Sequence, residues 1–266
     1  MAKEKYTVCP ECGENYDIHF YRCPNCRKPN ENRPFTRMSY LPISRQVSLF
    51  VIGLVGLNVL SAILSIIFTT VIKDDEPYLY LVINTLSYLT LFVVDLLVIG
   101  KYFPELLTPF KKWRTYLAGL IGFAIVLAGS ILIGLLMKYI APSAGEGENQ
   151  TVAIQMVLRG PLVSVITLGL IGPIVEELTY RVGLFTLCKR ASSILAYAVT
   201  VIIFTVIHIN FFSDNIINEL IALPDYLFAG IIFAVLYHRE GFGASLIAHM
   251  GNNLFSVLTI IITKGQ

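Results

Sequence analysis

The sequence predicts an all-α protein: a polytopic membrane helix bundle of about seven transmembrane helices, with a small, separately folded head at the N-terminus. Three observations carry this. Of the 266 residues, 55% are hydrophobic and only 14% charged, with a mean hydropathy of +0.69, whereas a soluble domain carries roughly 25% charged residues. The charge is unevenly spread, with 13 of the first 46 residues charged against 25 of the remaining 220. Apolar runs long enough to cross a hydrocarbon core recur from residue 47 to the end. The same balance excludes disorder. The formal net charge of +2 excludes a nucleic-acid binder that works by bulk charge, and no nucleic-acid partner is expected.

The head is residues 1–30. Cys9-Pro10-Glu11-Cys12-Gly13 is followed by Cys23-Pro24-Asn25-Cys26. Each Cys-x-x-Cys turn points two thiolates at one ion, and two such turns complete a tetrahedral four-sulfur site. Structural zinc on Cys9, Cys12, Cys23 and Cys26 is the expectation. Two disulfides are the bland alternative and iron in the same geometry a smaller one. His19 sits between the pairs and reads as a surface residue. So short a stretch cannot bury enough apolar surface to fold alone, so the metal supplies the folding energy. The pattern resembles the zinc ribbons at the N-termini of many bacterial membrane proteins. Residues 31–46, with Pro34 and Pro42, read as a linker.

The bundle is residues 47–266. Its apolar runs fall near 47–72, 78–100, 116–140, 162–187, 193–212, 219–237 and 242–263. They are too long for barrel strands and lack alternation, so helices are expected. Span 6 is the weakest, because Pro224 and Asp225 lie in it. Residues 141–151 read as a polar loop, and Met1 to Pro10 hold no apolar signal core. Gly53, Gly56, Gly119, Gly122 and Gly134 suit close helix packing. With the N-terminus inside, 16 Lys/Arg fall on inner segments and Lys73, Lys138, Arg159 and Lys264 on outer ones. That bias predicts a cell-membrane, multi-pass protein, N-terminus in the cytoplasm and C-terminus outside.

An ionisable residue inside a span is costly, about 2.5–3.5 kcal/mol at a helix centre on insertion scales. Span 4 carries three, in Glu176-Glu177-Leu178-Thr179-Tyr180-Arg181. Glu177 and Arg181 are i,i+4 and share a face, so they can pair. Glu176 lies about 100° round the helix without an in-helix cation. Pro173, one turn earlier, removes a donor and makes room for a cavity. Span 5 carries Phe204-Thr205-Val206-Ile207-His208, with His208 near its outer end, and span 7 carries His249-Met250-Gly251-Asn252-Asn253. His249 and Asn253 face one direction from adjacent turns. A lone intramembrane His is usually a packing residue; two His, an unpaired Glu and an aligned Asn in three spans point to a shared polar site. These groups can hydrolyse an amide. Glu176 takes a proton from water that His208 helps to hold, and His249 and Asn253 donate to the oxyanion. The same Glu and two His could instead bind zinc with water in the fourth position. His238, beside Arg239 and Glu240, reads as a loop residue, and Asn84, Asp95 and Asp225 as groups that pair within the bundle or line a cavity.

Glu176-Glu177-x-x-x-Arg181, Phe204-x-x-x-His208 and His249-x-x-x-Asn253, in that order on late helices, resemble the CPBP family. These are the CAAX proteases and bacteriocin-processing enzymes, also called Abi, including the eukaryotic Rce1-type endopeptidase. The resemblance covers about residues 155–260. It implies that Glu176 and His208 activate water, that His249 and Asn253 form the oxyanion hole, and that Glu177, Arg181 and Phe204 support them. It implies an intramembrane endopeptidase, of glutamate type with metal involvement debated. A ribbon fused to such a body looks prokaryotic. Membrane peptides or protein segments would then be the substrates, as in bacteriocin maturation, immunity or peptide signalling, with membrane lipid and a cytosolic partner of the ribbon as further partners. A non-catalytic immunity or regulatory protein that sequesters a peptide is the competing reading, and a transporter the third.

Overall fold

The computed structural model describes residues 6–17, 23–26, 28, 30 and 41–265. His19 and most of the expected linker lie outside these. In the head, β1 (Tyr6–Val8) and β2 (Asn15–Asp17) pair antiparallel with Tyr6 opposite Asp17 and Val8 opposite Asn15. The turn between them carries Cys9 and Cys12. Gly13 closes it at φ +74°, donating to the Cys9 carbonyl at 2.9 Å while the Cys9 N–H donates to Glu14 at 2.8 Å. That left-handed conformation suits glycine.

The body is all-α. Its helices are α1 (Ile43–Phe68), α2 (Glu76–Ile99), α3 (Trp113–Ile140), α4 (Glu148–Arg159), α5 (Pro161–Lys189), α6 (Ser193–Val206), α7 (Ile216–Glu240) and α8 (Phe242–Lys264). Short helical turns fill 100–111. Starts and stops follow local chemistry. Asp75 caps α2 by accepting from the Tyr78 N–H at 2.9 Å, and Ser192 caps α6 through the Leu195 N–H at 3.0 Å. Gly241, at φ +91°, is the whole connection between α7 and α8.

Six helices are long and apolar enough to cross a membrane among the described residues: α1, α2 extended to Tyr102, α3, α5, α7 and α8. The expected seventh, 193–212, is corrected. Its helix stops at Val206 after 14 residues, or about 21 Å of rise against a hydrocarbon core of about 30 Å. The apolar run continues through Ile207, Ile209, Phe211 and Phe212, but none of those residues is helical. Two further corrections concern extent. α7 runs unbroken through Pro224, and residues 148–151 begin α4 rather than completing a loop.

Contacts between helix ends define two faces. At the proximal face, where α1 begins, Arg45 donates to the Val98 and Ile99 carbonyls, Arg190 to Gln46, and His238 meets Tyr197 at 2.8 Å. His238 is thus packed in the last turn of α7 rather than loose in a loop. At the distal face Arg159 pairs with Asp75 at 2.7 Å and holds that carboxyl below its usual range, chiefly through their hydrogen bond. Asn210 donates to Glu148 there, and Lys264 lies 4.0 Å from Glu146. Both ends of α4 therefore lie at the distal face. The segment following α6 also reaches that face, so the chain still passes between the faces seven times.

α5 is the hub. More than half of its most apolar stretch (56%) is buried, against 6–28% in the other long helices. It is α-helical only in part: Thr167–Ile171 and Glu177–Phe185 are wound as π-helix on either side of Gly172–Glu176. π turns widen a helix and free carbonyls, and are common at functional sites. α1 crosses α5 closely at two glycines. A Cβ on Gly53 would fall 1.8 Å from Thr179 Oγ1, and one on Gly183 2.9 Å from the Phe50 N. Gly119 and Gly122 pack equally closely on Ile247 and Leu236, whereas a Cβ at Gly134 would meet nothing within 4 Å. The outward faces carry large exposed apolar side chains such as Ile66, Leu97 and Leu132, as a lipid-facing bundle requires.

Candidate active site

The site forms where α5 meets α2, α6, α7 and α8. Glu176 is its centre. Tyr88 on α2 donates its hydroxyl to Glu176 Oε1 at 3.0 Å. The other oxygen, Oε2, faces two imidazoles, with His208 Nε2 at 4.0 Å and His249 Nε2 at 3.6 Å. Both rings are fixed from behind by their Nδ1–H groups. His208 donates to the Phe204 carbonyl at 2.6 Å. That bond exists because α6 ends two residues earlier, leaving a last-turn carbonyl open. His249 donates to Glu177 Oε1 at 3.0 Å. Each histidine therefore presents Nε2 to Glu176, the second nitrogen being set by the bond the first one makes.

Aromatic rings hold these groups in plane. His208 stacks on Tyr226 (4.6 Å, 22°) and His249 on Phe233 (4.4 Å, 19°). Phe204 touches Tyr180, Phe233 and both histidines. Its face also receives Arg181, whose Cζ lies 4.6 Å from the ring centre, a cation–π contact away from water.

Beneath lies a buried charge pair. Glu177 and Arg181 are fully buried and 3.5 Å apart, as their i,i+4 spacing predicts. Ser245 on α8 lies 2.5 Å from Glu177 Oε2. Glu177 is therefore bound to Arg181, His249 and Ser245 together. Arg181 belongs to neither membrane face and drops out of the sequence-based charge count. Asn253 lines the same cavity one turn beyond His249 and spends one amide N–H on the Leu168 carbonyl at 3.1 Å. Leu168 lies in the first π segment of α5.

All seven motif residues thus come together. The reading that placed His208 at the far end of a full-length span is corrected by the short α6. Sequence reasoning missed Tyr88, Ser245, Tyr226 and Glu219. Glu219 is buried at the start of α7; its Oε1 accepts from the Glu148 N–H at 2.6 Å and its Oε2 from the Asn210 N–H at 3.0 Å. One carboxylate thereby caps α4 and pins the chain two residues after His208. Of the polar residues expected to pair or to line a cavity, Asn84 and Asp225 line it, Asp225 accepting from Ser130 at 2.5 Å. Asp95 is buried elsewhere, its oxygens without hydrogen-bond partners among the described residues. The cavity measures about 880 Å³, within the usual range for ligand sites.

In the head, Cys9 and Cys26 sulfurs lie 3.4 Å apart, Cys12 and Cys23 3.5 Å, and all four fall within 4.8 Å of one another. A tetrahedral zinc with bonds of about 2.3 Å needs sulfur separations near 3.8 Å, so the four donors fit such an ion. The thiols perturb one another. Burial pushes Cys9 up, yet N–H groups of Cys12 and Glu11 and the neighbouring thiols bring it down to about 7. Cys26 accepts from the Lys28 backbone, which lowers it, but burial and the other three sulfurs push it up to about 12. A bound dication would relieve that repulsion.

Residues 158–255 match the family described as Type II CAAX prenyl endopeptidase Rce1-like. Over 180 residues the chain is 26% identical to a Bacillus subtilis (strain 168) protein named "Putative membrane peptidase YdiL", covering 66% of this chain and 70% of that one. No solved structure matches. Glu176, Glu177, Arg181, Phe204, His208, His249 and Asn253 all lie inside the matched stretch. Together these likenesses support a membrane protease, and its residues 158–255 form an Rce1-like segment.

Proposed function

We propose that the protein is an intramembrane endopeptidase that hydrolyses a peptide bond in a membrane-associated peptide or protein with water activated at Glu176. One observation carries the reading: Glu176 Oε2 faces both His208 Nε2 and His249 Nε2, at 4.0 and 3.6 Å, within an 880 Å³ cavity.

The steps follow from the hydrogen bonds. Tyr88 occupies Glu176 Oε1 and leaves Oε2 to act as base. Water between Oε2 and the scissile carbonyl gives one proton to Glu176 and directs its other hydrogen to the lone pair of His208 Nε2. Its oxygen bonds to the carbonyl carbon. The oxyanion that forms is met by His249 Nε2–H and by the second amide N–H of Asn253. That role needs a proton on each ring nitrogen of His249, since its Nδ1–H is already given to Glu177 Oε1. Collapse breaks the C–N bond, Glu176 returns its proton to the departing amine, and the new acid leaves. A zinc ion held by Glu176, His208 and His249 would polarise the same water. Activity that falls with a chelator and returns with zinc distinguishes that form.

The head is proposed to be a zinc ribbon, residues 1–30, in which Cys9, Cys12, Cys23 and Cys26 hold a structural ion; residues 31–46 link it to the bundle of residues 47–266. The Lys/Arg bias supports a cytoplasmic head, where a soluble partner would meet it. The composite suits a prokaryotic cell membrane and substrates such as bacteriocin precursors or signalling peptides.

The test is a comparison of membrane and secreted peptides from cells expressing the wild type or Glu176→Ala at matched insertion. A fragment present only with the wild type, and its precursor accumulating with the variant, is the expected result. Identical peptides with the cellular phenotype preserved would replace this reading with a non-catalytic immunity or regulatory protein.

A further inference from the structure

The cavity has one direction. From the catalytic groups its wall continues along α3 to Lys138, the loop Ala141–Gly147, α4 and the first turn of α7, and along α8 to Lys264. Those are all distal-face ends. No residue of the proximal turns 100–116, of 189–197 or of 238–245 lines it. The site is nevertheless nearer the proximal face along α8: His249 is seven residues from Phe242 and fifteen from Lys264, about 10 Å and 22 Å of rise. A funnel roughly 20 Å deep therefore leads to Glu176 from the distal face.

Its lining suits a polypeptide. Asn84, Asn149, Gln150, Asn218, Asn252 and Asn253 place uncharged carboxamides along it. Four of them spend one polar atom on the protein: Asn84 on the Tyr80 carbonyl, Asn149 on the Tyr226 hydroxyl, Asn218 on the Gly145 N–H and Asn253 on the Leu168 carbonyl. A carboxamide carries both a donor and an acceptor, so each has a second polar atom to offer an extended backbone. Tyr226 joins the entrance to the centre, since its hydroxyl meets Asn149 and its ring stacks on His208.

We propose that the substrate reaches Glu176 from the distal face, opposite the one where the chain leaves the head, and that it is an extended polypeptide segment displayed outside the cell. The substrate class rests on the peptidase reading; the route does not. The distal face carries Lys73, Lys138, Arg159 and Lys264, while Arg45, Lys101, Lys111, Lys112, Arg114, Lys189, Arg190 and Arg239 lie on proximal segments. The basic face belongs in the cytoplasm, so the funnel opens outward. The head and the substrate entrance then lie on opposite sides of the membrane, and the head cannot hand a substrate to the site.

Cysteine accessibility in the full-length protein tests this without any need for activity. Gly134 lies in the funnel wall, and a Cβ there meets nothing within 4 Å. Lys73, in the distal connection 69–75, and Lys111, in the proximal one, are exposed references outside the funnel. The probe is a membrane-impermeant maleimide added to intact cells, with the unsubstituted chain as background. Expected is labelling of Gly134→Cys from outside at a rate within about tenfold of Lys73→Cys, because a wet funnel leaves the thiol free to ionise. Lys111→Cys should label only after permeabilisation. Gly134→Cys following Lys111→Cys, or labelling from neither side, overturns the route. Gly134→Cys and Lys73→Cys both labelling only from inside overturns the outward substrate. Repeating the labelling in Glu176→Ala separates the route from proteolysis, since the variant should lose cleavage and keep the labelling pattern.

Discussion

Replacing Glu177 by Gln keeps the shape of the side chain and removes its charge. Glu177 and Arg181 are fully buried and 3.5 Å apart, and His249 and Ser245 approach the same carboxylate at 3.0 and 2.5 Å. The variant leaves the guanidinium sealed between Phe204 and Phe233 without a counter-charge. Removing one partner of a buried ion pair costs about 3–5 kcal/mol. At about 2–4 °C per kcal/mol for a chain of this size, the melting temperature should fall by roughly 6–20 °C. The assay is thermal unfolding of purified protein in detergent, followed by far-ultraviolet circular dichroism. Glu177→Gln combined with Arg181→Met removes both charges and should regain most of the loss, because an apolar pair of similar volume is often as stable as a buried salt bridge. A single variant melting within about 2 °C of the wild type, or a double variant melting below the single, would refute this account of the pair.

Tyr88→Phe deletes the bond to Glu176 Oε1. A hydrogen bond to a charged group is worth about 1.5–3 kcal/mol of stability, so the melting temperature should fall by roughly 3–12 °C, and turnover should fall because Glu176 is no longer held at Oε1; unchanged turnover would remove Tyr88 from the site. Gly53→Val drives a Cβ to within 1.8 Å of Thr179 Oγ1 and should cost at least the about 1–3 kcal/mol of overpacking, whereas Gly134→Ala, which meets nothing, should hold or gain stability. Equal melting of the two variants would contradict the described crossing of α1 and α5. In the head, elemental analysis should find about one zinc per chain, lost in Cys12→Ser. Metal-free protein with two disulfides would sink the ribbon.

The motifs of the candidate site were legible because each lies within one helical turn: Glu177 with Arg181, Phe204 with His208, His249 with Asn253. Spacing within a helix predicts a shared face, and the cost of a charge in lipid says that the face is used. Tyr88 and Ser245 were not legible. They meet Glu176 and Glu177 from 88 and 68 residues away, and neither stands out in its own helix. The end of α6 was hidden for a different reason. Hydropathy measures apolarity, and the run stays apolar past Val206 although the backbone turns there to bring His208 to Glu176. The π winding of α5 leaves no local signature beyond Pro173. The direction of the funnel depends on which ends of α3, α4, α7 and α8 meet, and no single segment carries that information.

The central claim is that Glu176 activates the water that breaks the peptide bond. Its most direct measurement is turnover, by purified wild type and Glu176→Gln side by side, of the precursor found in the peptide comparison, with melting temperatures matched. The account predicts a fall of at least the roughly hundredfold that a general base supplies, with the fold intact. Equal turnover by the two proteins would contradict it.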